Sequence, residues 1–125
     1  MAEPGRIRFE MCVNDYDGYG QHTGKLHSCR FETPEGDLYL ACTGREITCR
    51  KLDDSHIRLG RRKFPILSYG CYIGNMMWDG AEVSADVANA LFDVLREDGN
   101  YAPENGTSIL WDVWEVGNKL ILEDD

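Results

Sequence analysis

The chain has 125 residues, 42% of them hydrophobic and 28% charged, with a net charge of −9. This length and composition predict a single globular domain over residues 1–125 rather than a disordered or fibrous chain, and the negative field disfavours direct binding of DNA or RNA by the domain as a whole. The longest apolar run, residues 64–73, is broken by Pro65, Ser68 and Gly70. It falls far short of the ~20 apolar residues of a membrane span, so no membrane partner is expected.

Residues 7–13 alternate, with Ile7, Phe9, Met11 and Val13 on one side and Arg8, Glu10 and Cys12 on the other. That period of two predicts a half-buried strand. A polar loop follows over residues 14–25, rich in Tyr, Asp, Asn and Gly. Residues 26–33 and 38–43 then read as strands joined by a Pro34-Glu35-Gly36-Asp37 turn. Gly44-Arg45 suits a tight hairpin into a strand over residues 46–52. In that pairing Cys42 faces Ile47 and Cys49 faces Leu40, four small or apolar side chains on one sheet face. A short strand is expected at 56–59, then a loop through Gly60 and the triplet Arg61-Arg62-Lys63, then one strand-like run over 64–73. Pro65 cannot donate to a ladder and belongs at an edge or a strand end.

One helix is expected near residues 84–98. Ser84 is a good N-cap, Asp86 lies in the first turn, and Val87, Ala88, Leu91, Val94 and Leu95 form an apolar stripe with Phe92 at its margin. Gly99 is the expected stop. Residues 108–116 read as a strand carrying Trp111 and Trp114 on opposite faces, and Gly117-Asn118 as a two-residue hairpin into 119–122. The fold class is therefore α+β: an antiparallel sheet of about six to eight strands, a meander plus a C-terminal hairpin, with one main helix.

Charge is segregated along the chain. Residues 1–70 carry a net +1 and residues 71–125 a net −10, while residues 45–63 alone reach +4. The acidic half reads either as a solvated surface kept for solubility or as a face that meets a basic partner, and the basic segment by itself can touch a phosphate. The N-terminus lacks the apolar stretch of a signal peptide. Five cysteines without a Cys-x-x-Cys pair suit reduced thiols in the cytoplasm.

Known motifs fail on inspection. Gly24-Lys25 lacks the upstream glycine and the following hydroxyl of a P-loop, and an EF-hand starting at Asp15 would end on Leu26 instead of an acid. His27, Cys29, Cys42 and Cys49 lack the knuckle spacing of structural zinc. No cofactor, metal ligand or catalytic residue is assigned. The leading expectation is an acidic cytoplasmic protein that binds another protein with a basic surface, as an inhibitor or regulator and with nucleic-acid mimicry as one version. The residues nominated for that surface are Tyr16, Asp17, Tyr19, Trp78, Asp79, Glu82, Asp86, Asp93 and Glu97. The competing readings are a small enzyme or ligand-binding domain using Cys71 and the 14–25 loop, with His22, His27 or His56 as base, and a structural subunit of a larger assembly.

Overall fold

The structure, a computed structural model, describes residues 6–14, 23–53, 55–72, 77–104, 110–117 and 119–120, with backbone alone at 6, 14, 23, 71, 72, 77–79 and 111. The described residues form strands β1 (Arg6–Asn14), β2 (Thr23–Thr33), β3 (Gly36–Cys42), β4 (Thr48–Asp53), β5 (His56–Leu59), β6 (Arg62–Pro65), β7 (Ser68–Tyr72) and β8 (Met77–Ser84), then helix α1 (Ala85–Glu97), strand β9 (Tyr101–Pro103) and helix α2 (Trp111–Val116). Strand pairing is antiparallel throughout. The class is α+β, with nine strands among the described residues where six to eight were expected. No described helix is long and apolar enough to cross a membrane.

The strands form one sheet in the order β6-β5-β4-β2-β1-β8-β7. β2 forks: residues 23–25 pair with β4, whereas Ser28–Thr33 pair with β3, whose other edge takes β9. The two ends of the sheet are joined by only Ile66 and Leu67. Ile66 N–H donates to Ser55 O at 2.8 Å and Leu67 N–H to Glu82 O at 2.6 Å, so one bent segment is bonded toward β5 at its start and toward β8 at its end. Lys51 Nζ of β4 lies 4.6 Å over the Tyr69 ring of β7. The sheet therefore curls round until its two ends meet in that segment.

The alternation in β1 places Ile7, Phe9, Met11 and Val13 in the core. Cys12, expected on the outer side, is also buried. Its position coincides with a bulge: Cys12 pairs with Ser28 but Val13 pairs with Leu26, leaving His27 as the extra residue on β2. The bulge shifts the parity of β2, so Leu26 on one side of it and Cys29 and Phe31 on the other all reach the core.

α1 starts where expected. Ser84 Oγ accepts from Val87 N–H at 3.3 Å, and Ala88, Leu91, Phe92, Val94 and Leu95 are buried. Phe92 is fully buried, not marginal, and meets Trp114 edge-to-face with centroids 5.2 Å apart. The helix lies against β1, β8 and β9 and ends with Asp98 and Gly99 N–H both donating to Val94 O.

Four expectations are corrected. The Gly44-Arg45 hairpin does not form: Thr43 N–H and Oγ1 both donate to Asn100 O, β9 takes the free edge of β3, and β4 crosses to β2. Leu40 and Cys49 are nevertheless core residues, with Cys42 and Ile47 packed against them. The run 64–73 is divided between β6, which already begins in the basic triplet, and β7; Pro65 is the last residue of β6. Residues 77–84 form a further strand between β1 and β7.

Finally, 111–116 is a helix, not a strand. Leu110 is buried and Val113 and Trp114 pack against the core, the i, i+3, i+4 spacing of one helical face. Gly117 ends it in the left-handed region at φ 72°, donating to Val113 O and Trp114 O instead of turning a hairpin. Lys119 and Leu120 lie outside any strand, and residues 121–122 lie outside the described residues.

Candidate functional site

Two charged surfaces emerge, one on the helical layer and one on the sheet. Asp86, Asp93 and Glu97 are exposed on α1. At 100° per residue their offsets of seven and four fall within an arc of about 40°. They share one side of the helix, turned away from the buried stripe.

α2 adds exposed Asp112 and Glu115, and exposed Asp98 follows α1. The one base within α1, Arg96, is held over aromatic rings: its guanidinium lies 5.9 Å from the Phe92 centroid and 5.4 Å from that of Trp114. A Cβ at position 117 would come within 2.6 Å of Arg96 Nη1, so the helix-ending glycine also leaves room for this base.

Of the other nominated residues, Glu82 is the one described with its side chain, and it belongs to the sheet. Glu82 is on β8, where its carboxylate accepts from Ser68 Oγ at 2.8 Å and its backbone pairs with Arg8. Trp78 pairs with Cys12 and Tyr72, and Asp79 with Met11 and Cys71, by backbone. Tyr16, Asp17 and Tyr19 lie outside the described residues.

The outer sheet surface carries a network that the sequence did not suggest. Arg30 Nη2 bonds Glu10 Oε1 and, at 2.6 Å, Glu32 Oε1; Arg30 Nη1 donates to Tyr39 Oη at 2.8 Å; Arg8 Nε donates to Glu10 Oε2 at 2.8 Å. Burial tends to lower the Arg30 pKa, but the Tyr39 bond and the carboxylates of Glu10 and Glu32 outweigh it and hold the guanidinium charged.

Farther round the same surface, Arg50 pairs with Arg58 and Arg58 with Lys63. Directly opposed residues point to the same face of a sheet, so three cations stand in a row across β4, β5 and β6. Arg58 and Lys63 are exposed, as is Arg61 in the adjoining turn, and these three form no ion pair among the described residues. The sequence signal for this row was the local +4. The register that aligns it was missed, because the basic triplet was read as loop.

The cysteines offer no activated thiol among those described. Cys12, Cys29, Cys42 and Cys49 are free, and Cys49 Sγ lies 3.3 Å from Met11 Sδ in the core. Burial pushes the Cys29 thiol far up and the Cys12 thiol up as well, although Ser28 opposes the latter. His27 Nδ1 is 3.4 Å from Glu46, and His56 Nδ1 is 3.0 Å from Asp53. The Asp53 carboxyl is held below its usual range, first by the Ser55 N–H and then by His56. The Cys71 backbone pairs with Asp79; its side chain and His22 are outside the described residues.

Among the described residues no group of three or more His, Cys, Asp and Glu is placed to hold a metal ion. No protein-family model matches this chain, and no curated protein or solved structure matches it.

Proposed function

We propose that this protein is a cytoplasmic binding protein whose acidic helical layer engages a basic surface on a protein partner. The observation that carries this reading is the exposure of Asp86, Asp93 and Glu97 on one side of α1 while the helix's only base, Arg96, is held over Phe92 and Trp114. Carboxylates aligned along a helix steer a cationic partner and fix its approach. Carboxylates lined along one side of a helix also suit the groove of a nucleic-acid-binding protein, which would make the chain an inhibitor by mimicry. The cytoplasmic location rests on the odd cysteine count and the absence of a Cys-x-x-Cys pair.

The test compares two baits in parallel, the native chain and D86K/D93K/E97K, at low and high salt. The expected result is a near-stoichiometric protein retained by the native chain at low salt, released at high salt and not retained by the variant. The same captured set on both baits overturns the reading.

A further inference from the structure

We propose that the outer face of β4, β5 and β6, centred on the row Arg50, Arg58 and Lys63 with Arg61 beside it, docks the phosphodiester backbone of a nucleic-acid strand. Like charges placed directly opposite each other across a sheet oppose folding, so the opposed pair Arg58 and Lys63, exposed and with Arg61 beside it in the turn, favours an external anion. Elsewhere on the same sheet cations are paired, since Arg8 and Arg30 lie against Glu10 and Glu32. By contrast, Arg58, Arg61 and Lys63 form no ion pair among the described residues. Neighbouring strands lie about 4.8 Å apart, so the row spans about 10 Å before its long side chains are extended. That length covers two or three phosphates of one strand. Guanidinium groups bind phosphate oxygens in pairs, and the ammonium of Lys63 adds a point charge.

The net charge of −9 argues against a nucleic-acid partner only if charge is uniform over the surface. In the fold it is not. α1 packs chiefly on β1, β8 and β9 rather than on the strands of the row, and the Debye length at physiological salt is about 8 Å. A narrow polyanion lies along the row without approaching the acidic layer. A flat anionic membrane brings negative charge against the acidic layer as well as the row, over a much wider area. The row meets phosphates rather than base edges, so binding is independent of sequence.

The experiment titrates the full chain into fluorescein-labelled RNA and DNA single strands of about 12 nucleotides and the matching duplex. Fluorescence anisotropy is read between about 50 and about 200 mM salt. The native chain is expected to bind, with log K falling against log salt with a slope of about −2 on the single strands, the value for three phosphates. R58E/K63E, with unchanged circular dichroism, is expected to bind at least about tenfold more weakly with a slope near zero. The milder R58Q/K63Q is expected to fall between the two, and D86K/D93K/E97K to bind at least as well as the native chain.

Three outcomes overturn the proposal. One is no binding at the lowest salt, and another is equal binding by R58E/K63E. The third is tighter binding to phosphatidylserine vesicles than to either nucleic acid, which would make the row a membrane contact.

Discussion

On the outer surface formed by β8, β1, β2 and β3, Arg8 and Arg30 lie against Glu10 and Glu32, whereas on β4, β5 and β6 the opposed positions hold Arg50, Arg58 and Lys63. The two regions join through the β2–β4 pairing and have the same antiparallel geometry, so strand structure does not explain the difference. In the first region the charges interlock: Glu10 takes Arg8 on one oxygen and Arg30 on the other, and Tyr39 completes the Arg30 fork. Gly80 contributes by lacking a side chain, since a Cβ there would meet Arg8 Nη2 at 2.9 Å. Such a network helps to specify register, because a one-residue slip would turn every charged side chain toward the core. In the second region Arg58 and Lys63 form no ion pair among the described residues, and the docking proposed above rests on that contrast.

The largest expected effect lies at the joint between the two regions, where β2 forks. Tyr101 Oη donates to Leu26 O at 2.5 Å and accepts from Ile47 N–H at 3.0 Å, pinning the point where β2 leaves β4 for β3. Tyr101→Phe strands the buried Leu26 carbonyl and the half-buried Ile47 N–H and is expected to cost about 3 kcal/mol in urea unfolding. Burial raises the Tyr101 phenol above its ordinary 10.0, although the Ile47 N–H opposes that shift. The folded chain therefore keeps a proton that the unfolded chain releases, and this contribution to stability, present below pH 10.0, is lost progressively above it. The Tyr101→Phe variant should lose less stability between pH 9 and pH 11 than the native chain, a range about one unit either side of the ordinary tyrosine value.

Within the balanced network, Arg30 and Glu10 are only 23% and 19% exposed. Arg30→Ala leaves Glu10 and Glu32 to share Arg8 and removes the Tyr39 contact, at an expected cost of about 2 kcal/mol by the same measurement. The corresponding change in the unbalanced row should have the opposite sign. Arg58→Thr relieves two like-charge contacts and suits a strand, so a gain of about 0.5 kcal/mol is expected, shrinking at high salt. Destabilisation by Arg58→Thr as large as that of Arg30→Ala would show that the row has a structural role after all, and the comparison between the two surfaces would fail.

Much of the fold could be read from local chemistry. The β1 alternation, the Ser84 cap and the helical stripe each depend on residues within a few positions of one another, and the first hairpin turns at Pro34-Glu35 as its residues suggest. The errors arose where distant segments competed. Gly44-Arg45 had the composition of a hairpin, but Asn100 and β9 captured the end of β3. Trp111, Val113 and Trp114 have strand propensity, yet the core beside Phe92 offered a helical face a better site. The short register of β8 was hidden by the charged Asp79 and Glu82 between apolar neighbours. Of the nominated surface, Asp86, Asp93 and Glu97 were legible because helical spacing alone aligns them, while Glu82 was not, because sheet pairing placed it beside Arg8 and Ser68.

The amino-acid sequence by itself determined the α+β class, the capped helix with its exposed carboxylates, and the segregation of charge into a basic and an acidic part. These follow from residue type and short-range period, which act within one element. Only the tertiary structure decided that β2 forks, that the sheet curls until β6 and β7 meet, and that Arg50, Arg58 and Lys63 stand in line. Those features depend on cross-strand register and long-range burial, free energies shared between segments far apart in the chain.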